Sequence, residues 1–183
     1  MPNNMPNNMP NNNLTKFSLQ NILIWVVAFC IMEFPMRYFY LNVFGGTNIR
    51  KWYDFKHFNI YNVIIGDLFY VLIGIIITYR IYDYFFKNED NIFKFFAIFL
   101  TVQLIGDLTF YQIISNIPTK YTNKWTKFFK NYGATAGLNA VLGDSIYILI
   151  WTIIAYLIKN MAFDILLSIL FLFLFIVSAI AES

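Results

Sequence analysis

The amino-acid sequence predicts an all-α, polytopic membrane protein with about five transmembrane helices. Of its 183 residues, 59% are hydrophobic and 13% are charged, whereas a soluble domain is about 45–50% apolar and about 25% charged. The mean hydropathy is +0.58. Five apolar stretches each reach the ~20 residues that a helix needs to cross ~30 Å of hydrocarbon. Strands of a membrane barrel would be about 10 residues long and alternate in polarity, which these stretches do not.

The chain divides into a short tail and one membrane domain. Residues 1–16 begin with the tetrapeptide MPNN in three copies. This low-complexity Asn/Pro/Met composition disfavours helix and supplies no core, so we expect the segment to be disordered. Residues 17–183 form a single helical membrane domain. Its predicted spans cover residues 19–40, 60–82, 92–117, 134–158 and 161–181.

Polar connections separate the spans. Loop one (residues 41–59) is rich in basic side chains, and loop two centres on KNEDN at 87–91. Loop three (118–133) contains four lysines and is expected to lie at the interface as an amphipathic segment. The fourth connection is little more than Lys159-Asn160, so the last two spans form a tight hairpin.

The distribution of Lys and Arg predicts the orientation. Loops one and three, with the adjoining span ends, carry eight of the thirteen, and the N-terminal tail with loops two and four carries five. Cytoplasmic loops carry the excess of Lys and Arg in multi-pass proteins. We therefore expect a non-cytoplasmic N-terminus, and a cytoplasmic C-terminus together with loops one and three.

Three aspartates inside the spans share one local sequence pattern. The pattern N-x-x-x-G-D-x-x-Y occurs at residues 62–70 and again at 139–147, with a looser copy at 103–111. The copies lie about 40 residues apart, which predicts an internal repeat whose adjacent copies run in opposite directions.

Helical spacing places these motifs on stripes, because residues four apart share a helix face. The predicted stripes are Asn62, Gly66 and Tyr70 in the second span, Gln103, Asp107 and Tyr111 in the third, and Asn139, Gly143 and Tyr147 in the fourth. Asp67 and Asp144 lie one residue off their stripes, within reach of the tyrosine three residues later.

Depth in the bilayer predicts that the acids form one layer. At 1.5 Å per residue, and with alternating helix direction, Asp67, Asp107 and Asp144 lie ~10–15 Å in from the same membrane face. Glu33, near the end of the first span, belongs to that side, with Arg37 one turn away as its ion partner.

The cost of insertion indicates that these acids are not exposed to lipid. A mid-helix Asp opposes insertion by ~2.5–3.5 kcal/mol, whereas each Leu, Ile or Phe favours it by only ~0.3–0.6 kcal/mol. Such acids therefore face protein or water. Glycine permits close helix approach, and the predicted packing positions are Gly66, Gly106, Gly133, Gly137 and Gly143.

Three functional interpretations of this layer remain open. Its side chains could hydrogen-bond between helices and fix the bundle, line a pathway for cations or protons, or support an enzyme. We assign no catalytic residue, cofactor or metal site, because one cysteine, Cys30, and one histidine, His57, allow no Cys-based zinc site. A net charge of +3, dispersed along the chain, is too small for a nucleic-acid footprint.

One part of the sequence resembles a viral family. The stretches QLIGDLTFYQIISNIP (103–118) and YTNKWTKFFKNYGATAGLNAVLGDSIYIL (121–149) are similar to uncharacterised multi-pass membrane proteins of large nucleocytoplasmic DNA viruses. The similarity covers about residues 103–150 and rests on the Asp-Leu-x-Phe-Tyr run, the Ile-Pro helix end, the Phe-Lys-x-Tyr segment and the final Gly-Asp-Ser. It implies a virion or host-cell membrane.

A second similarity is weaker. The segment IIGDLFYVLIG (64–74) is similar to the Gly-x-Gly-Asp segment of presenilin-type intramembrane proteases, but the first glycine, the Tyr-Asp partner motif and the Pro-Ala-Leu segment are missing.

From these observations together, we predict a structural or assembly protein of a viral or cellular membrane, with a cation or proton channel or transporter as the alternative. The expected partners are the lipid bilayer and, within it, further copies of the chain or other membrane proteins.

Overall fold

The chain forms a bundle of helices, with no strand in the part of the chain that the structure describes. A computed structural model describes residues 12–44, 47–54, 57–87 and 89–181. The helices are α1 (Leu19–Phe39), α2 (Thr47–Tyr53), α3 (Ile60–Phe86), α4 (Ile92–Asn116), α5 (Lys124–Ala136), α6 (Leu138–Ile158) and α7 (Phe163–Ala181). The predicted all-α fold class is confirmed.

Five of these helices, α1, α3, α4, α6 and α7, are long and apolar enough to cross a membrane. The chain is therefore a multi-pass membrane protein, as predicted. The longest of the five is α3, with 27 residues. At 1.5 Å per residue it measures ~40 Å, which is longer than the ~30 Å of hydrocarbon that a span must cross.

Helix α1 lies at the centre of the bundle. Five of its residues are fully buried, and together they cover more than half of the helix circumference: Ile24, Trp25, Val27, Ala28 and Phe29. Helices α3, α6 and α7 pack around it, and α4 packs against α3 and α6. A helix that is apolar on every side is buried in this way. The outward faces of the surrounding helices carry large apolar side chains suited to lipid.

Aromatic rings fill the half of the bundle near the start of α1. The ring of Trp25 lies 5.2 Å from that of Trp151, 5.9 Å from Phe99 and 6.0 Å from Phe95, centroid to centroid. Trp25 Nε1 donates to Tyr79 Oη at 2.9 Å, and Trp151 Nε1 donates to the Trp25 carbonyl at 2.8 Å. These five side chains are called the aromatic core below. Both indole N–H groups are satisfied, as buried tryptophans require.

Helix α1 does not end at its proline. The helix passes through Pro35 to Phe39 and continues as a wider π-helical turn, Tyr40–Phe44. Proline removes one backbone hydrogen bond without forcing the chain out of helix when neighbouring helices support it in a membrane.

Short polar side chains begin the helices. Ser18, Asn59, Asn91 and Asn123 each accept a hydrogen bond from a backbone N–H in the first turn of the following helix, which satisfies groups that the helix itself leaves unpaired. The predicted start of the fourth span at residue 134 is too early. Gly137, at φ 48°, separates α5 from α6, because that conformation favours glycine and interrupts the helix.

The predicted disordered tail also ends at a different place. Residues 1–11 of that prediction lie outside the described residues, but residues 12–16 pack on the bundle. Leu14 is only 2% exposed, and its carbonyl accepts from Tyr79 Oη at 2.9 Å. Asn12 N donates to Asn160 Oδ1 at 3.1 Å. The prediction of disorder rested on the average composition of the tail, which does not reveal that Leu14 is buried or that Asn12 is hydrogen-bonded to the bundle.

Candidate functional site

Four of the spanning helices each contribute one carboxyl group to a layer on the side of the bundle opposite the aromatic core. The four are Glu33 of α1, Asp67 of α3, Asp107 of α4 and Asp144 of α6, called the acid layer below. Asp67 interacts electrostatically with Glu33 and Asp144, and Asp144 with Asp107. Glu33 is only 1% exposed. The structure thus brings the three motif aspartates and Glu33 near one another.

The carboxyl groups of Asp107 and Asp144 lie close to each other. Tyr70 Oη and Gln103 Nε2 each donate to Asp107 Oδ1 at 2.7 Å. The Asp144 carboxyl group lies within hydrogen-bonding reach of Asp107, and Asp107 Oδ2 is buried with no donor among the described residues. Two ionised carboxylates have only acceptor atoms, so a hydrogen bond between them requires a proton on one.

The third aspartate is held by a tryptophan from outside the spans. Trp52 Nε1, from the short helix α2, donates to Asp67 Oδ2 at 3.1 Å. The Trp52 ring packs with aromatic side chains of α5 and of the segment before α3, at centroid distances of 5.0–5.5 Å. This group is called the aromatic cap below, and its members are Trp52, Phe58, Trp125, Phe128 and Phe129. It lies next to the acid layer through the hydrogen bond to Asp67.

Glu33 and Arg37 have different hydrogen-bond partners. Tyr147 Oη donates to Glu33 Oε2 at 2.8 Å, and Glu33 Oε1 is buried with no donor in the described ranges. The Arg37 guanidinium donates to the Tyr53 carbonyl and lies over the Tyr53 ring. Glu33 and Arg37 still interact electrostatically across one helical turn. Arg37 therefore acts on Glu33 by electrostatic attraction, while the hydroxyl of Tyr147 supplies the hydrogen bond to the Glu33 carboxyl group.

Two tyrosines outside the spans adjoin the layer. Burial, followed by the nearby carboxyl groups of Glu33 and Asp67, holds the pKa of the Tyr53 phenol well above its usual value. Burial and the carboxyl group of Asp144 likewise raise the pKa of Tyr132. Both phenols therefore stay neutral at physiological pH and add no charge to the layer.

Several predicted site residues lie outside this cluster. Asn62 and Asn139 are exposed near the starts of their helices, and Tyr111 is 42% exposed. Tyr70 and Tyr147 do not bond the aspartate of their own motif. Each reaches an acid on another helix, since the hydroxyl of a long tyrosine side chain extends past its own helix surface.

Three of the predicted packing glycines permit close approach. A methyl group on Gly106 would lie 2.9 Å from Tyr70 Oη, and one on Gly143 would lie 3.4 Å from Tyr40 Oη. A methyl group on Gly133 would overlap the Tyr111 ring. These positions bring α3 against α4, the end of α1 against α6, and α4 against α5.

The other two predicted packing glycines do not act this way. A methyl group on Gly66 or on Gly137 would meet nothing within 4 Å. Gly66 lies on an open part of α3, and Gly137 is the turn between two helices, so its role is conformational. Gly74, which was not predicted, faces Phe99 and Gln103 instead.

Sequence reasoning missed the part of the site contributed by α2. Trp52 and Tyr53 lie in RKWYD at 50–54, where aromatic and basic residues together indicate a membrane interface. That signal predicts a position at the membrane interface for Trp52. It carries no information on contact with Asp67, which depends on how the loop folds back.

No protein-family model, curated protein or solved structure matches this chain. Within the described ranges, no group of three or more His, Cys, Asp or Glu side chains is arranged to hold a metal ion.

Proposed function

We propose that this multi-pass membrane protein binds and transfers protons at the acid layer, as a proton channel or transporter. The observation that carries the proposal is the approach of Asp144 to Asp107, whose buried Oδ2 has no donor among the described residues. A hydrogen bond between two carboxyl groups requires a proton on one of them. A proton shared by two carboxyl groups is already positioned to pass from one to the other.

The charge balance supports the same proposal. The layer contains four carboxyl groups, and Arg37 is the cation that interacts with Glu33 and Asp67. Burying an uncompensated charge in a medium of low dielectric is costly. Taking up protons brings the layer toward neutrality, and giving them up requires water to reach it.

The two aromatic clusters suggest how access is controlled. Glu33 lies eight residues after Trp25 on α1, so the aromatic core is ~12 Å from the acid layer along the helix axis. The aromatic cap lies next to the layer on its other side, through the hydrogen bond from Trp52 to Asp67. This arrangement favours a gated transporter over a permanently open pore, with access to the layer through the cap.

A structural or assembly role in a viral or cellular membrane is the second candidate. The observation that favours it is that hydrogen bonds of the layer join different helices. Tyr70 of α3 bonds Asp107 of α4, and Tyr147 of α6 bonds Glu33 of α1. In this role the acids hold the bundle together, and the resemblance to viral membrane proteins would indicate where it resides.

Proton flux into liposomes separates the two candidates. The purified full chain is reconstituted with a pH-sensitive dye inside, and a pH gradient is imposed in each direction. We expect wild-type flux to be lost in Asp107→Asn and in Asp144→Asn, which keep shape but remove the titrating group. Asp164→Asn is the matched control, because Asp164 is exposed at the start of α7.

Folding of each variant is checked by its thermal midpoint in detergent. Folded wild-type protein that produces no flux in either direction would refute the transport proposal. Equal flux in wild type and both variants would show that these acids do not carry the protons. Either result leaves the structural role as the better account.

A further inference from the structure

We propose that a basic cleft at the other end of the bundle binds the phosphate group of an anionic lipid. The cleft lies between the segment that precedes α1 and the last turns of α3, and its volume is about 300 Å³. It lies on the opposite side of the membrane domain from the acid layer, since Asp67 is near the start of α3.

The cleft has an excess of positive charge. Lys16, Arg80 and Lys87 line it, and in the described part of the chain none of the three takes part in an ion pair. Of the two acids in the lining, Glu89 pairs with Lys94. Asp83 is then the one acid that opposes three cations, a balance that suits a singly charged phosphodiester.

The depth of the cleft favours a lipid over a soluble phosphate. Helix α3 is ~40 Å long, more than the ~30 Å of hydrocarbon, and cations such as Arg80 in its last turns and Lys87 just after it suit the headgroup region. The Arg80 guanidinium lies 5.8 Å from the centre of the exposed Phe17 ring. An apolar ring beside the cations provides contact for the glycerol and acyl carbons next to a lipid phosphate.

The wall formed by the N-terminal segment is fixed in place. Asn21 Nδ2 donates to the carbonyls of Asn13 and Lys16 at 2.8 and 2.6 Å. Tyr79 Oη donates to the Leu14 carbonyl at 2.9 Å, which ties the segment to α3. A cleft whose walls are already ordered loses little conformational freedom when a headgroup binds.

The test is native mass spectrometry of the full chain in a neutral detergent. The apparent Kd is measured for phosphatidylglycerol, with phosphatidylcholine as the neutral reference. We expect clear preference for phosphatidylglycerol in the wild type. The combined variant Lys16→Gln, Arg80→Gln and Lys87→Gln should weaken that binding at least about tenfold.

A matched control removes equal charge from the opposite membrane side, where Lys51→Gln, Lys120→Gln and Lys127→Gln should leave the Kd unchanged. Asp83→Asn should tighten binding about threefold or more, since it removes the opposing acid. Misfolding cannot produce that gain.

Three results would overturn the proposal. The first is equal affinity for the two lipids. The second is an equal loss in the cleft variant and the control variant, which would indicate unspecific surface charge. The third is displacement by inorganic phosphate at concentrations equal to those of phosphatidylglycerol, which would assign the cleft to a soluble anion.

Discussion

Replacing Asp144 with asparagine tests whether its contact with Asp107 contains a proton. Asparagine has the shape of a protonated aspartate, and its amide can donate to Asp107. If the wild-type contact holds a proton, the variant keeps one hydrogen bond in the same place. The free energy of unfolding then changes by about 1 kcal/mol or less, because side-chain hydrogen bonds in membrane helices average ~0.6 kcal/mol.

A different outcome follows if both carboxyl groups are ionised. Two like unit charges ~4 Å apart repel by about 4 kcal/mol at an effective dielectric constant of ~20. Removing one would make Asp144→Asn more stable than wild type by several kcal/mol. Asp144→Ala provides the contrast, because it removes the group that can share a proton with Asp107 and should cost about 1–3 kcal/mol.

The assay is reversible unfolding of the three proteins in mixed micelles at neutral pH, followed by circular dichroism. We expect wild type and Asp144→Asn to agree within about 1 kcal/mol, with Asp144→Ala the least stable. Stabilisation of Asp144→Asn by several kcal/mol would refute the shared proton.

Two further substitutions probe the packing around the layer. Gly133→Ala should destabilise the protein by about 1–3 kcal/mol in the same unfolding assay, because its methyl group overlaps the Tyr111 ring. Gly66→Ala is the control, where a methyl group meets nothing within 4 Å; equal loss in both would contradict the packing argument. Trp52→Phe removes the donor to Asp67 but keeps an aromatic ring in the cap, so proton flux in liposomes should rise. Unchanged flux would mean that this hydrogen bond does not control access.

The fold class followed from the sequence because it depends on properties that are local and additive. Five stretches of about 20 apolar residues predict five spans wherever they occur. The helix ends were less certain, because one residue decides them. Gly137 ends α5 and delays the fourth span, yet small residues in GATAG at 133–137 also suit the inside of a membrane helix.

The candidate site was predictable only in its depth. The rise per residue of a helix predicts that Asp67, Asp107 and Asp144 lie at the same depth in the bilayer. That prediction does not depend on which helices are neighbours. Hydrogen-bond partners depend on that knowledge. The sequence therefore suggested that Tyr70 would bond Asp67 of its own helix, whereas the pairing of α3 with α4 brings Tyr70 to Asp107.

The hydrogen bond from Trp52 to Asp67 could not be predicted from the residues near Trp52 in the sequence. Helix α2 lies outside the spans, and it packs against α5, which is more than 70 residues later in the chain. Interfacial aromatics predict depth, but the bond to Asp67 arises from how two loops on one side of the membrane fold together.

Infrared spectroscopy of the purified protein measures the shared proton most directly, because the C=O stretch of a protonated carboxyl group is separate from the bands of a carboxylate. At neutral pH we expect folded wild-type protein to show a protonated-carboxyl band that loses intensity in Asp107→Asn and in Asp144→Asn but not in Asp164→Asn. A folded wild type without such a band, or one whose band is unchanged in both acid-layer variants, would contradict the proposal that these two aspartates hold a proton between them.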